Sequence, residues 1–273
     1  MPSSRKGSAL NIVVCVKQVP DTTDVRIDPE TNALIREGVE SILNPFDENG
    51  IETALQLREQ HGGKVTVLSM GPPQASAVLR QAIAMGADEV YLISDPAVRG
   101  SDTLATSYTL SRAIQHLGEF DLIICGKQAI DGDTAQVGPG VAERLNIAQV
   151  TLAIGVEVEG RKARIRRMLD NTTEIVEVRL PVLLTVVKQI NEPRHPPMRG
   201  VLKAKRAEIP VLKAADLDLD PKQTGFPGSP TIVWKIFTPP RRQRGEMIDG
   251  DVGQKVGALT QRIMDLGVIG LKP

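Results

Sequence analysis

The sequence predicts an α/β protein with a doubly wound, mostly parallel sheet, and two observations support this. Four short apolar runs alternate with helix-length segments, an order typical of parallel strands joined by right-handed crossovers. The apolar runs are also continuous rather than alternating, as expected of strands covered on both faces. The predicted strands lie near 11–17, 64–69, 89–94 and 121–125, and the predicted helices near 46–60, 73–85, 103–117 and 139–145.

The second half of the chain has a different pattern. Three segments alternate apolar and polar residues, which predicts added antiparallel strands joined by tight turns. A continuous apolar run then restores the buried-strand pattern. The alternating segments are 155–159, 161–168 and 174–179, and the buried run is 181–187.

The C-terminal region is predicted to form an arm. Residues 238–251 include Pro239-Pro240-Arg241-Arg242 and are interpreted as a linker, and an amphipathic helix follows. We expect its apolar stripe to contact a partner, with packing on its own domain as the alternative. The predicted organisation is a disordered lead at 1–10, an α/β domain at 11–237 and the linker and helical arm at 238–273. The stripe consists of Val252, Val256, Leu259, Ile263 and Met264 or Leu266.

Composition disfavours several classes of function. The 273 residues are 41% hydrophobic, enough for a full core, and 33 basic side chains balance 33 acidic ones. Only 3% of residues are aromatic and no basic run is interleaved with them, so no nucleic-acid partner is expected. The apolar runs are strand-sized, so no direct membrane insertion is expected. Residues 1–8 lack an apolar core and are not interpreted as a secretory signal.

The two cysteines, Cys15 and Cys125, each lie inside an apolar strand pattern. Neither has metal-ligand spacing to a histidine, so the sequence predicts no metal site. We expect both to be reduced core residues of a cytoplasmic protein. The sequence also offers no nucleophile with a neighbouring base, so no catalytic side chain is predicted and the chemistry must come from a bound cofactor.

The loop after the fourth predicted strand has the strongest functional signal. A buried strand, a glycine-rich loop and a helix start form the arrangement at which open α/β sheets bind nucleotide phosphates. Glycines in the loop permit close backbone approach, and Asp133 or Thr134 is expected to cap the helix. The loop matches neither the Rossmann nor the Walker pattern, so a plain structural turn is the alternative. The candidate cofactor-binding residues are Gly126, Lys127, Gln128, Ala129, Ile130, Asp131, Gly132, Asp133, Thr134, Ala135, Gln136 and Val137.

Other segments accompany this loop in order along the chain. They are Val14-Cys15-Val16-Lys17-Gln18-Val19-Pro20-Asp21-Thr22, Asn44-Pro45-Phe46-Asp47, residues 82–89, and Asn191-Glu192-Pro193-Arg194. With the loop they resemble the beta subunit of electron-transfer flavoproteins over about 11–206. The resemblance implies an adenine nucleotide alpha hydrolase-like sheet, a nucleotide bound by the α/β domain, and an alpha subunit as partner.

The resemblance also implies which residues surround an adenosine. Asn44 and the main chain near Cys15 and Met70 would flank it. Asp47 lies in the first turn of the first helix, where it is either a charge near the helix start or a direct contact.

A further helix start, at 100–107, carries hydroxyl groups at Thr103 and Thr106. These side chains would face the polar edge of an isoalloxazine ring. A simpler role for the segment is that Ser101 or Asp102 caps the helix. The two roles are compatible.

Members of the resembled family are of two kinds, and the loop discriminates between them. Ordinary beta subunits hold a structural AMP, pass electrons from acyl-CoA dehydrogenases to a quinone reductase, and have an aspartate-rich loop. The present loop, with Gly132, is similar to the electron-bifurcating kind, whose beta subunit binds FAD. Glycine there removes bulk and negative charge beside a pyrophosphate. This predicts FAD, with AMP as the alternative.

For the bifurcating kind, the resemblance implies NADH as electron donor. The acceptors would be ferredoxin or flavodoxin and an acyl-CoA dehydrogenase or quinone-linked oxidoreductase. NADH oxidation is expected only from the heterodimer with the alpha subunit.

Residues 191–206 resemble the family's dehydrogenase-recognition loop. Met198 aligns with the apolar anchor position, and a flexible apolar side chain suits a pocket on a partner. Without the resemblance the segment would be interpreted as a solvated basic loop. The candidate partner-recognition residues are Pro193, Arg194, Met198 and Lys203.

Two rival functions belong to other classes. A nucleotide-activating enzyme of the same fold type requires a Ser-Gly-Gly-x-Asp-Ser loop or a His-x-Gly-His pair after the first strand, and Val16-Lys17-Gln18-Val19-Pro20 provides neither. A nucleotide-sensing module without redox function is disfavoured by the antiparallel strands, the recognition loop and the arm.

Overall fold

The computed structural model describes residues 9–21, 26–27, 34–35, 41–234, 245 and 247–267, with backbone alone at 26–27 and 34–35. The chain divides into two compact units, Met1–Trp234 and Lys235–Pro273. The first unit is the α/β domain, and the second contains one described helix. Most of the predicted lead and of the predicted linker lies outside the described residues.

The strands and helices of the first unit follow one another with short connections. They are β1 Leu10–Val16, β2 Gln18–Pro20, β3 Arg26–Ile27, β4 Leu34–Ile35, β5 Ser41–Leu43, α1 Pro45–His61, β6 Gly63–Met70, α2 Ser76–Met85, β7 Glu89–Ile93, α3 Thr103–Leu117, β8 Leu122–Gly126, α4 Val137–Leu145, β9 Ala148–Glu159, β10 Lys162–Met168, β11 Thr173–Arg179, β12 Val182–Val186, α5 Met198–Arg206 and β13 Val211–Leu212.

A nine-stranded sheet forms the centre of this unit, in the order β11-β10-β9-β12-β8-β1-β6-β7-β13. Neighbouring strands are parallel from β9 and β12 through to β13, and the antiparallel pairs of this sheet are β9–β10 and β10–β11. The predicted fold class, a doubly wound mostly parallel sheet with added antiparallel strands, is confirmed.

Helices cover the parallel strands on both faces, because those strands carry apolar side chains on each side. Side chains of α1 and α2 share one buried cluster with Val14 and Val67. Those of α3 and α4 share a second cluster with Val13 and Ile123. The apolar runs in the sequence are continuous because each strand contributes to both clusters.

The antiparallel extension starts earlier than the sequence pattern indicates. Strand β9 begins at Ala148, pairs in parallel with β12, and then continues as the antiparallel partner of β10. The apolar–polar alternation that predicts a strand begins only after the point at which the neighbour of β9 changes from β12 to β10. A shift of register between Arg166 and Arg167 accompanies the change.

The predicted loop at 191–206 is half helical, which differs from the expectation. Prolines keep 192–197 out of regular structure, but α5 starts at Met198, after Pro197. Gly200 approaches the carbonyl of Ala84 in α2 so closely that a Cβ there would overlap it. Arg80 of α2 donates to the carbonyls of Ala204 and Ala207 at 2.7 and 2.8 Å. Packing on α2 therefore stabilises a helix that the local composition does not indicate.

The second unit contains helix α6, Val252–Asp265. Asp251 accepts from the N–H of Gln254 and Gln254 Oε1 accepts from the N–H of Asp251, so the helix starts with a capping box. The side chains of Val252, Val256, Leu259 and Met264 are exposed. The predicted stripe therefore lies on a helix, and its contact with a partner stays a prediction.

Candidate functional site

The candidate site lies where strands β1 and β8 run side by side at the centre of the sheet. The chain leaves β1 toward α1 on one face and leaves β8 toward α4 on the other. The strand order therefore reverses between β1 and β8, and the two loops separate at their carboxyl ends. Open α/β sheets bind ligands in the crevice formed at such a switch point.

Asp47, in the first turn of α1, joins the ends of both strands. Its Oδ2 accepts the N–H of Lys17 at 2.8 Å, and its Oδ1 accepts the N–H of Gly126 at 3.1 Å. The residue is only 6% exposed. Burial raises the pKa of Asp47 to about 7, although hydrogen bonds from Asn44, Lys17 and Gly126 oppose the rise. Asp47 thus connects the two loops through their main chains.

Asn44 precedes the same helix and holds the loop after β8, residues 127–136, which we call the nucleotide loop. Its Nδ2 donates to the carbonyl of Gln128 at 2.9 Å, and its Oδ1 accepts the N–H of Ile130 at 3.2 Å. Asn44 is fully buried. The structure therefore shows Asn44 and Asp47, both predicted to surround a ligand, bonding to the segments that form the crevice.

The nucleotide loop is also constrained by its own hydrogen bonds. Lys127 donates its N–H to the carbonyl of Val186, and the carbonyl of Ala129 accepts the N–H groups of Gly132 and Asp133. Asp133 and Ala135 have positive φ angles of 50° and 54°. These conformations are uncommon for residues with a side chain, so the loop has a specific backbone path rather than a generic turn.

Helix α4 starts without a side-chain cap, which corrects the expected role of Asp133 or Thr134. The helix begins at Val137, and its N-cap residue, Gln136, makes no side-chain capping bond. Asp133 instead accepts from Nε2 of Gln128 at 2.6 Å. The first N–H groups of α4 lack a side-chain cap, which suits a bound anion.

Helix α3 differs, because Asp102 caps its first turn. The carboxylate accepts the N–H groups of Leu104 and Ala105 at 2.9 and 3.0 Å. It also accepts the N–H and the hydroxyl of Thr231. Of the two alternatives for 100–107, the capping role is therefore present. Between α3 and α4, the start of α4 is better suited to phosphate, because no side chain caps it.

The hydroxyl residues of α3 lie beside the nucleotide loop. Thr103 Oγ1 donates to Oε1 of Gln136 at 3.1 Å, and Thr106 is half-buried one turn further on. A Cβ at Gly140 would approach Ser107 to within 2.9 Å, so the two helices pack closely. The structure therefore brings the predicted α3 residues to the edge of the same crevice.

The two cysteines occupy neighbouring positions on β1 and β8. Cys15 pairs in register with Cys125, and both side chains belong to the cluster beneath α3 and α4. Both thiols are free and buried, as expected. The hydrogen bond with Cys15, together with burial, raises the pKa of Cys125. Met70 ends β6 at the same edge of the sheet.

Sequence reasoning missed one contact across the crevice. Lys17 Nζ lies 2.7 Å from both carboxylate oxygens of Asp131. The two residues are separated by 114 positions and belong to different loops, so no local pattern indicates their pairing. The resemblance includes Val16-Lys17-Gln18, but it carries no information on the partner of the Lys17 side chain.

The predicted partner-recognition residues fall into two groups. Arg194 is bound within the domain, since its guanidinium contacts Glu52 at 2.7 Å and Glu59 at 2.5 Å. These hydrogen bonds raise the pKa of Arg194. Burial acts to raise the pKa of Glu52, but the hydrogen bonds from Arg194 and Gln56, together with the charge of Arg194, lower it overall. Pro193 is half-buried beside Arg194.

The other group lies on α5 and faces solvent. Met198 is 74% exposed and Leu202, one turn later, is also exposed. Lys203 is exposed as well, although its Nζ lies 3.4 Å from the carbonyl of Ala87. Two apolar side chains four positions apart form a small protruding surface.

The described part of the chain contains neither a membrane-spanning helix nor a metal-binding cluster. None of the described helices combines the length and apolarity that a membrane span requires. Within those same residues, no three His, Cys, Asp or Glu side chains come together in a way that would hold a metal ion.

The fold and its crevice define a doubly wound α/β protein of a ligand-binding type. Residues 31–217 match the electron transfer flavoprotein domain family. The chain is 51% identical to the electron transfer flavoprotein subunit beta of Thermoanaerobacterium thermosaccharolyticum over 95% of its length and all of that protein. It is 53% identical to the same subunit of Megasphaera elsdenii, over 86% of this chain and 90% of the relative.

A third relative has a different name. The caffeyl-CoA reductase-Etf complex subunit CarD of Acetobacterium woodii is 46% identical, over 95% of this chain and all of that protein. The chain belongs to the electron transfer flavoprotein family, as a beta subunit of the heterodimer.

Proposed function

We propose that this beta subunit binds FAD and that its heterodimer divides the electrons of NADH between two acceptors. One acceptor is ferredoxin or flavodoxin, and the other is an acyl-CoA dehydrogenase or a quinone-linked oxidoreductase. Bound FAD would supply the redox chemistry, which is acceptance of a hydride and transfer of single electrons. The residues of this chain position the cofactor and set its surroundings. The proposed location is the cytoplasm.

The observation that carries the proposal is the open space at Gly132 in the nucleotide loop. A Cβ placed there would have no atom within 4 Å from any residue beyond its two chain neighbours, whereas a Cβ at Gly126 would overlap the Asp47 carboxylate. Gly126 is therefore required by the protein's own packing, while packing does not account for Gly132. Space and the absence of a negative side chain suit a pyrophosphate that continues toward a second nucleotide moiety.

The starts of α3 and α4 support a particular orientation of the cofactor in the crevice. The first N–H groups of α4 are suited to phosphate, because that helix has no side-chain cap. Thr103 and Thr106 line the neighbouring edge and would face the flavin. The main chain at Cys15 and Met70 would flank the adenosine, and Asn44 and Asp47 hold the loops around it.

Two surfaces support the proposed partners. The stripe of α6 would contact the alpha subunit, since apolar residues in this pattern are exposed on a helix. Met198 on α5 would anchor a dehydrogenase, and the complex named for CarD supports an acceptor that acts on coenzyme A thioesters. In this arrangement Arg194 holds residues 191–194 against α1, and this fixes the path of the chain that leads into α5.

The test is the nucleotide content of the heterodimer, released by denaturation and separated by chromatography. Two FAD per heterodimer, together with NADH-dependent reduction of ferredoxin that requires the second acceptor, are expected. One FAD and one AMP would overturn the proposal and support the alternative, in which electrons pass from acyl-CoA dehydrogenases to a quinone reductase. Gly132 would then have no role in cofactor choice.

A further inference from the structure

The ion pair between Lys17 and Asp131 spans the crevice between β1 and β8. Each carboxylate oxygen of Asp131 lies 2.7 Å from Lys17 Nζ. The side chains are 48% and 33% exposed. One residue follows β1 and the other lies in the nucleotide loop, so the pair connects the two walls of the site.

The main chain of Lys17 is fixed while its ammonium group reaches outward. Its N–H donates to Asp47 at 2.8 Å, and its carbonyl accepts the N–H of Asn44 at 3.0 Å. The base of the side chain therefore has a set position and direction. An ammonium group on a flexible stem can exchange one oxygen partner for another without moving the backbone.

The other carboxylates of the crevice are engaged differently. Asp47 is buried and accepts two main-chain N–H groups, and Asp133 accepts from Gln128 within its own loop. Asp131 is bonded through a surface ion pair, and pairs of this kind contribute little stability. Of these three carboxylates, Asp131 is the one whose partner a ligand could replace at low cost.

We propose that Lys17 is a nucleotide-binding residue and that Asp131 competes with the phosphate groups of the nucleotide for it. The inference rests on the proposed function, because it requires a nucleotide in this crevice. A diphosphate presents more negative charge and more acceptor oxygens than a carboxylate, so it displaces Asp131 from the ammonium group. Asp131 is predicted to bind the cofactor. In this proposal it instead sets ligand specificity, because only a ligand with enough negative charge displaces its carboxylate from the Lys17 ammonium group.

The experiment measures FAD and ADP affinity in the heterodimer after its nucleotides are removed by dialysis against potassium bromide. The variants are Lys17→Gln, Asp131→Asn and the double variant. Lys17→Gln is expected to weaken ADP binding about tenfold or more. Asp131→Asn is expected to strengthen it about two- to fivefold, the range of an exposed ion pair. The double variant should match Lys17→Gln, since Asp131 acts only through Lys17.

A matched control is the ion pair between Lys64 and Glu89, at 2.9 Å and with 46% and 42% exposure. This pair lies at the amino-terminal ends of β6 and β7, on the edge of the sheet opposite the candidate crevice. Lys64→Gln and Glu89→Gln should leave both affinities unchanged. Lys17→Arg should keep most of the affinity, and it serves as the readout if Lys17→Gln does not assemble.

The outcomes separate the two hypotheses. Weaker binding in Asp131→Asn, or unchanged binding in Lys17→Gln, would overturn the inference while leaving a nucleotide-binding subunit intact. A wild-type heterodimer whose beta subunit binds neither FAD nor ADP would overturn the proposed function and, with it, the inference.

Discussion

The carboxylate of Asp47 lies where a side chain at position 126 would be. Its Oδ1 accepts the N–H of Gly126 at 3.1 Å, and a Cβ on Gly126 would overlap that same oxygen and come within 2.7 Å of the Cβ of Phe46. The end of β8 can therefore approach the start of α1 only because residue 126 has no side chain. Asp47 thereby joins the end of β8 to the end of β1 at the candidate crevice.

Gly126→Ala is expected to destabilise the subunit by about 1–3 kcal/mol, the usual cost of inserting a methyl group into packed structure. The contact with Asp47 would be lost, so nucleotide retention should fall as well. Thermal unfolding of the heterodimer and its nucleotide content measure both effects. Gly132→Ala is the matched control, because its Cβ meets no atom within 4 Å beyond its two chain neighbours. Equal stability in the two variants would contradict this account.

Gly132→Asp is expected to reduce FAD retention without lowering the thermal midpoint of the nucleotide-free heterodimer. The added side chain has room in the protein, so any loss arises from bulk and charge facing the ligand. Gly132→Asn separates the two causes, since it adds similar bulk without the charge. Flavin content per heterodimer is the measurement. Unchanged flavin content in Gly132→Asp would show that Gly132 has no role in FAD binding.

Asp47 predicts a specific pH dependence. Burial raises its pKa from 3.8 to about 7, so the folded chain retains a proton that the unfolded chain loses above about pH 4. This stabilisation is complete below pH 4 and is lost as the pH rises through 7, by at most ~1.4 kcal/mol per pH unit. Asp47→Asn has no titratable group at this position, so it lacks this pH-dependent contribution to stability. Its stability relative to wild type should therefore improve from pH 5 to pH 8.

The measurement is the difference in thermal midpoint between wild type and Asp47→Asn at the two pH values. Subtracting wild type cancels the contributions of the other carboxylates. The variant is also expected to lose one main-chain hydrogen bond, because an amide offers a single acceptor oxygen to two N–H donors. A difference that is constant with pH would show that Asp47 is ionised throughout this range.

Truncation to alanine is expected to lower the stability of the subunit at Arg194 but not at Met198. Arg194→Ala removes the charged partner of the buried Glu52, which keeps only the hydrogen bonds from Gln56 and from the main-chain N–H of residue 194. The loss costs about 3 kcal/mol. Met198→Ala removes an exposed side chain and should change stability by less than about 0.5 kcal/mol. Thermal midpoints test this difference, and affinity for an acyl-CoA dehydrogenase tests the role of Met198. An unaltered dehydrogenase affinity in Met198→Ala would exclude it as an anchor.

Much of the fold could be predicted because its signals are local. Continuous apolar runs identify the parallel strands, and the nucleotide loop after β8 lies where the sequence places it. Helix α5 could not be predicted, since its stabilising contacts come from Arg80 and Ala84, more than a hundred residues away. The predicted cap of α4 was wrong, because the helix begins at Val137 and the Asp133 side chain accepts from Gln128 instead.

The sequence alone determined that this chain alternates strands and helices, that a glycine-rich loop follows a buried strand, and that its segments are those of an electron transfer flavoprotein. Only the tertiary structure decided what each polar side chain does there. Asn44 and Asp47 hold the loops, Asp102 caps α3, and Lys17 meets Asp131 across the crevice. The reason is physical: strand and helix patterns depend on neighbours in sequence, whereas hydrogen-bond partners depend on neighbours in space.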